Sequence, residues 1–462
     1  MGILDFLIAH FPEVRGPQQK RLPFNEKLKW TLITLVLFFT MGLVPLYGLG
    51  ENALQQFEFL SIILGASFGS IISLGIGPLV TSSIVLQLLV GTGILKYDLS
   101  NPEQRRRFQG LQRIMSIAFI LFEGAIYVFM GGLAPSPSLV GTPQYFEMQL
   151  VLVLQLIIGG FLIMFLDEVV SKWGFGSGIS LFIAGGVAQQ IFIRAFNFLP
   201  SPTNPDIAAG AVPALFQSLS TGNITEAGLQ FATLAVTVLV FLVCVFGQAM
   251  KVEIPLTFGR VRGMGFRWPL NFFYTSNIPV ILIGALMANI QLFAHLLERW
   301  GYPLLGTFSG NTPVSGIVHW LSPPNLVHAI ITGSFQLTQL AQALVYVLLF
   351  MVGSIIFGIF WVQTANMDAA SQAKQIISSG LQIPGFRRDE RVLEKILQRY
   401  ITPLTVLGGA SIGLLAALAD LTGALSNGTS ILLTVMIVYK LYEEISKQHM
   451  MDMHPALKKM VE

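Results

Sequence analysis

The chain has 462 residues, 53% of them hydrophobic and 11% charged, a formal net charge of +3 and a mean hydropathy of +0.69. So few charges exclude a soluble globular protein, in which about a quarter of the residues are charged. The single cysteine, Cys244, lies in an apolar run, excludes a disulfide within the chain and reads as a buried packing residue.

The N-terminal stretch MGILDFLIAHFPEVR has no basic start and is interrupted by Asp5, so it does not read as a secretory signal. Ile3, Leu4, Leu7, Ile8 and Phe11 fall at helical spacing on one side, which predicts a short amphipathic helix on the inner membrane surface. Phe6 stands where N-myristoylation needs Ser or Thr. Ten apolar runs follow, at about 28–47, 76–95, 111–131, 148–168, 177–195, 229–250, 277–297, 342–364, 401–420 and 424–443. Runs of about 20 residues are long enough to cross a hydrocarbon core of about 30 Å. Ten crossings put both termini on one side. The segments on that side, 1–29, 96–113, 169–176, 251–267, 365–399 and 440–462, hold all of the 27 Lys and Arg except Arg194 and Arg299. The positive-inside rule therefore places both termini in the cytoplasm. That basic face suits anionic lipid headgroups and a polyanionic partner.

Between the first two spans runs LGASFGSIISLGIGP, Leu64 to Pro78, more than half of it Gly, Ala or Ser. It is too polar and too broken for a span, yet too apolar for a surface loop. Five spans precede an outer loop at about 198–226 and five follow it. If the halves are related, an odd number of spans in each forces inverted topology. The second span opens GIGPLVTSSIVLQLL and the seventh SNIPVILIGALMANIQL, each with Pro in the first turn and an amide side chain further in. Pro often starts helices, so chance similarity stays open. The expected layout is a cytosolic segment 1–27, a first half 28–200, an external linker 201–228, a second half 229–443 with inner loops 251–276 and 365–400, and a cytosolic tail 444–462.

Glu123 is the clearest ionisable residue at mid-depth, where a charge costs about 2.5–3.5 kcal/mol. It needs polar company or water, which Thr81 and Gln87 in the second span and Asn289 in the seventh could supply; a hydrogen-bonded packing site is an equal reading. Asp167, Glu168 and Asp420 lie near span ends, where the interface can solvate them. The histidines show no metal-ligand spacing, and the nucleotide, zinc-protease and serine-hydrolase motifs are missing. No enzyme, metal or cofactor is expected. The inner loops from Lys251 to Pro279 and from Ala373 to Pro403 mix Arg and Lys with Gly, Pro and aromatics, which suits ordered projections for a cytosolic partner.

Five stretches carry a family resemblance: GIGPLVTSSIVLQLLVGTGI, LDEVVSKWGFGSGISLFIAGGV, IPLTFGRVRG followed by YTSNIPVILIGALMANIQL, FGIFWVQT and GTSILLTVMIVYKLYEE. Together they span nearly the whole chain, and it resembles the SecY family, pore subunits of the Sec protein-translocation channel, in its archaeal and eukaryotic branch. The resemblance implies an all-α integral membrane protein with ten transmembrane helices in two pseudo-symmetric inverted halves of five, plus a short re-entrant plug helix. The channel would open sideways to lipid between spans two and three and spans seven and eight. An apolar pore ring is implied at Ile76, Val80, Ile179, Ile183, Ile281 and Leu433, and a lateral-gate polar cluster at Thr81, Glu123 and Asn289. The plug is implied at about 54–75, with Phe59, Ile62, Ile63, Leu64, Gly65, Ser67, Phe68 and Gly69.

The inner loops would dock the ribosome through Arg260, Arg262, Arg387 and Arg388, whose guanidinium groups match ribosomal RNA phosphates. The implied partners are SecE and a small beta subunit in a heterotrimer, the ribosome, nascent secretory and membrane polypeptides with their signal peptides, and membrane lipid. The implied location is the cell membrane. Independently of the family, Ile76 with Val80 and Ile179 with Ile183 are pairs four apart, stacked about 6 Å along a helix axis. β-Branched side chains are stiff, and apolar constrictions exclude water and ions by dewetting. Aliphatic pairs at this spacing also occur as plain packing. The alternative function is a secondary transporter with inverted repeats, which needs several buried ionisable groups along a path. A purely structural scaffold is hard to square with the large inner loops.

Overall fold

The computed structural model describes residues 12–18, 22–52, 67–91, 94–95, 97, 102–201, 207–258, 265–275, 278–309, 312–378, 381–382, 389–426 and 428–453. Ten long helices stand at the ten expected spans: α1 (Phe24–Gly42), α2 (Gly77–Gly91), α3 (Pro102–Phe129), α4 (Pro143–Trp173), α5 (Gly178–Phe196), α7 (Ile224–Ala249), α8 (Ile278–Arg299), α11 (Leu337–Thr364), α13 (Glu390–Leu421) and α14 (Gly428–Met453). Seven of them, α3, α4, α5, α7, α8, α11 and α13, are long and apolar enough to cross a bilayer on their own account. The helix α2 is shorter, at 15 residues. In α1 and α14 the charged residues cluster at one end, Glu26, Lys27 and Lys29 in the first and Lys440, Glu443 and Glu444 in the second. The first span ends five residues before its expected boundary, because Pro45 disfavours helix just ahead of it.

Short helices fill the connections: α6 (Ala211–Thr221) in the linker, α9 (Gly316–Trp320) and α10 (Leu326–Ile331) before α11, and α12 (Ala369–Ser378) after it. Small antiparallel ladders join β1 (Leu49–Asn52) to β2 (Leu133–Pro135), and β5 (Phe308–Ser309) to β6 (Thr312–Pro313). The loop after α7 is a hairpin, β3 (Lys251–Phe258) with β4 (Gly265–Asn271), and β7 (Leu381–Gln382) pairs with the end of β3. Pro255 falls where β3 pairs with β4 alone, so its missing N–H removes no bond to a third strand.

Two cores result. The membrane core is one contiguous cluster running through both halves, from Phe38 and Leu156 to Phe350 and Ile437. In it α11 packs against α13, where a Cβ on Gly413 would come within 2.7 Å of the Phe350 carbonyl oxygen, so small residues let the two backbones touch. A separate inner core gathers Ile254 and Leu270 of the hairpin, Ala373 and Ile376 of α12, and Leu393, Leu397 and Ile401 of α13. The bases of both inner loops thus form one packed unit. Cys244 is buried, as its apolar surroundings imply.

Candidate functional site

The stretch before α2 is a run of turns. Its backbone closes as Ser70 N–H to the Ser67 carbonyl (3.0 Å), Ser73 N–H to Ser70 (3.0 Å) and Gly75 N–H to Ile72 (2.9 Å). Gly69 and Gly75 take left-handed φ values of 95° and 55°. Serines satisfy what the turns leave over: the Ser70 hydroxyl donates to the Ser67 carbonyl at 2.7 Å, and the Ser73 hydroxyl accepts the Gly69 N–H at 2.9 Å. Ser70 and Ser73 are both buried. The segment leans on the exit of α1, with Leu46 N–H to the Gly69 carbonyl and Ile71 N–H to the Val44 carbonyl, both 2.9 Å. It also sits over Gly159 of α4, where any Cβ would strike the Ile71 carbonyl. Irregular backbone at membrane depth is permitted when it is packed in protein this way. Ser67, Phe68 and Gly69 belong to this return segment. Phe59, Ile62, Ile63, Leu64 and Gly65 lie outside the described residues, as does the expected N-terminal amphipathic helix at Ile3 to Phe11.

The run of turns delivers Ile76 and Val80 into the membrane core. Ile76, Val80, Ile183, Ile281 and Leu433 are buried and Ile179 is half-buried. Five of them belong to the same apolar cluster and Ile179 packs against it; they come from the α2 end, α5, α8 and α14, two elements from each half.

Beside this cluster, α2 makes polar contacts on two sides. Toward α8, Asn289 Nδ2 donates to Thr81 Oγ1 at 3.0 Å, while Thr81 donates to the Gly77 carbonyl at 2.9 Å. Toward α3, Ser82 and Ser116 share a 2.7 Å bond and Gln112 Nε2 donates to Ser83 Oγ at 2.7 Å. Glu123 of α3 is buried, and neither carboxyl oxygen has a hydrogen-bond partner among the described residues. The Thr81 hydroxyl lies near that carboxyl but outside hydrogen-bonding geometry. Thr81 and Asn289 are thus joined directly, and Glu123 stands next to them unbonded. Gln87 does not supply the expected company, since its Oε1 is itself unbonded.

Three acids expected to be solvated at span ends are instead engaged. Asp420 is buried and accepts the Thr429 N–H at 2.8 Å and the Tyr346 hydroxyl at 2.7 Å. Asp167 accepts the Ile179 N–H at 2.9 Å. Glu168 pairs with Arg113 of α3 at 2.7 Å and accepts the Val14 N–H at 2.9 Å. Glu13 completes that group, 2.5 Å from Lys172 and 3.3 Å from Arg113. These two cations hold the Glu13 carboxyl down at about 2. Trp173 Nε1 donates to the Arg15 carbonyl at 2.9 Å, so residues 13–15 are strapped to α3 and α4. On the same side Lys251 meets Glu443 at 3.0 Å, which raises the lysine above its ordinary range. The sequence signal for these contacts was the mere presence of acids near span ends; their partners are too distant in the chain to be read from it.

Among the described residues no group of three or more His, Cys, Asp or Glu is placed to hold a metal ion. Arg260, Arg262, Arg387 and Arg388 lie outside the described residues.

A family model described as SecY matches residues 70–442, and one described as the plug domain of Sec61p matches residues 36–69. The chain is 47% identical to the protein translocase subunit SecY of Methanothermobacter thermautotrophicus over 456 residues, 98% of this chain and 97% of that one. It is 43% identical to the protein of the same description from Pyrococcus furiosus, covering 100% of this chain and 99% of that one. Among solved structures, a protein-conducting channel superposes with a TM-score of 0.83 at 40% identity, covering 99% of both chains. Sec61 in the canine ribosome-channel complex from the endoplasmic reticulum gives 0.80, also at 40% identity and 99% coverage of both.

Proposed function

This chain belongs to the SecY family, and from that premise we propose that it is the central subunit of a protein-conducting channel, passing secretory polypeptides across the membrane and releasing transmembrane segments sideways into lipid. It is a multi-pass membrane protein. The observation that carries the reading is that six aliphatic side chains from both halves lie in or against one apolar core, next to a seam bridged by Thr81 and Asn289.

Ile76, Val80, Ile179, Ile183, Ile281 and Leu433 form the constriction. Aliphatic walls offer no hydrogen bonds, so they shed water at rest and part around an extended chain without holding it. Thr81, Asn289 and Glu123 form the polar part of the lateral gate. The segment that ends in Ser67, Phe68 and Gly69 is the plug, returning to α2 through turns whose polar groups are satisfied locally. The placement of Lys and Arg supports cytoplasmic termini. The ribosome docks on the inner unit through Arg260, Arg262, Arg387 and Arg388, and the channel assembles with SecE and a small beta subunit. The canine relative, found in a ribosome-channel complex, supports that partnership.

The test is electrical. Replacing all six constriction residues with Ser or Asn makes the resting channel conduct ions in planar bilayers while the parent stays silent. A silent substituted channel overturns the constriction.

A further inference from the structure

Two ring-bearing helices open on the same pattern. Gly178-Ile179-Ser180-Leu181-Phe182-Ile183 begins α5, and Gly428-Thr429-Ser430-Ile431-Leu432-Leu433 begins α14. Ile183 and Leu433 occupy the same place in it, five residues beyond the glycine. In each case the first turn is met by an aspartate from the end of the preceding helix. Asp167 of α4 accepts the Ile179 N–H at 2.9 Å, and the Gly178 amide faces the same carboxyl. Asp420 of α13 accepts the Thr429 N–H at 2.8 Å, with the Gly428 amide facing it, and also takes the Thr429 and Tyr346 hydroxyls.

The local alternative is not used: Ser177, the residue before α5, makes no side-chain cap. The glycines record how close the preceding helix comes. A Cβ on Gly178 would strike the Asp167 backbone, and one on Gly428 would strike Ala419. Because α5 and α14 are the fifth and tenth crossings, they begin at opposite faces, as inverted halves require.

We propose that Asp167 and Asp420 are positioning residues for the constriction, each capping a ring-bearing helix from its neighbour and so fixing that helix's height and rotation. First-turn amides have no partner within their own helix, and a carboxylate there is favoured by the helix dipole. A slip of one residue moves a side chain about 1.5 Å along the axis and about 100° around it, enough to turn it away from the constriction. Asp167 thus sets Ile179 and Ile183, and Asp420 sets Leu433. This rests on the constriction proposed above.

The test uses the assembled channel in sealed proteoliposomes, with Cys244→Ser and either Ile183→Cys or Leu433→Cys as reporter. The readout is the rate of labelling by a membrane-impermeant maleimide. Asp420→Ala raises the rate at the Leu433→Cys reporter about tenfold, the factor that about 1.4 kcal/mol corresponds to, and leaves the Ile183→Cys reporter within about twofold. Asp167→Ala gives the reverse pattern. Asp167→Asn keeps an oxygen for the Ile179 amide and stays near the parent, since Asn caps helices as well as Asp. Tyr346→Phe, which removes one donor to Asp420 without opening a large cavity, raises only the Leu433→Cys reporter. Unchanged rates in both alanine variants, or equal rises at both reporters, overturn the proposal. The six-residue conductance variant is recorded alongside. Its silence would defeat the constriction itself, while the helix-specific labelling pattern separately decides whether the aspartates position these helices.

Discussion

The two halves of the molecule meet along two seams that are held differently. At the back α5 lies against α14, and hydrogen bonds cross at both ends. Ser426 Oγ donates to Gln190 Oε1 and Arg194 Nη1 to the Leu425 carbonyl, each at 3.1 Å, and Gln448 Nε2 reaches the Leu22 carbonyl at 2.9 Å. At the front α2 lies against α8 and α11. There the Asn289–Thr81 bond crosses within the helices, beside a buried carboxyl with no hydrogen-bond partner among the described residues. A neutral hydrogen bond contributes only about 0.5–1.5 kcal/mol net. Parting the front seam therefore costs little at that bond. Parting the back would break bonds at both ends. The proposed opening of the front seam would therefore have the back seam as its hinge.

Unbalancing the front should have the largest effect. Thr81→Val removes the acceptor and strands the Asn289 amide in a buried seam, a cost of about 1–3 kcal/mol to the closed state. Translocation of a reporter with a weakened signal sequence should rise about tenfold or more, since 1.4 kcal/mol is a factor of about ten. Asn289→Leu should act in the same direction but less, about 0.5–1.5 kcal/mol, because Thr81 keeps its bond to the Gly77 carbonyl. Ser426→Ala at the back should lower thermal stability by about 1 kcal/mol and leave the signal threshold where it was. A shifted threshold there would erase the distinction between the seams.

The smallest effect belongs to the N-terminal strap. Glu13 has a folded pKa of about 2, below its ordinary 4.5, because Lys172 and Arg113 favour its charged form. Its contribution is complete above the ordinary value and fades as pH falls through the folded one. The carboxylate is more than half exposed, at 55%, so solvent keeps the effect small. Glu13→Gln should weaken protection of the Val14 amide against hydrogen exchange severalfold at most at pH 7, and parent and variant should converge near pH 2. A difference that persists at low pH would remove Glu13 from the strap.

The spans were legible because hydropathy and the placement of Lys and Arg are properties of single segments. Glu123 pointed to Thr81, Gln87 and Asn289; the structure joins Asn289 to Thr81, while Glu123 has no hydrogen-bond partner among the described residues. The hairpin was legible but was read for charge: Lys-Val-Glu-Ile-Pro-Leu-Thr-Phe at 251–258 alternates polar with apolar residues, the period of a strand. The engagements of Asp420 with Tyr346 and of Glu13 with Lys172 were not legible. Their partners stand 74 and 159 residues away, and only the packing of helices brings them together. Solvation at the interface, expected of Asp420, fails because α14 begins directly over it.

The central claim is that the front seam opens while the back seam stays closed. In a Cys244→Ser background, Thr81→Cys with Asn289→Cys places a thiol pair across the front, and Gln190→Cys with Ser426→Cys places one across the back. Each is joined by a cleavable bifunctional thiol reagent, and translocation of a secretory chain is measured with release of a transmembrane segment. Joining the front should stop both until the reagent is cleaved, and joining the back should leave both intact. Continued transport through a joined front, or equal loss from either join, would contradict the account.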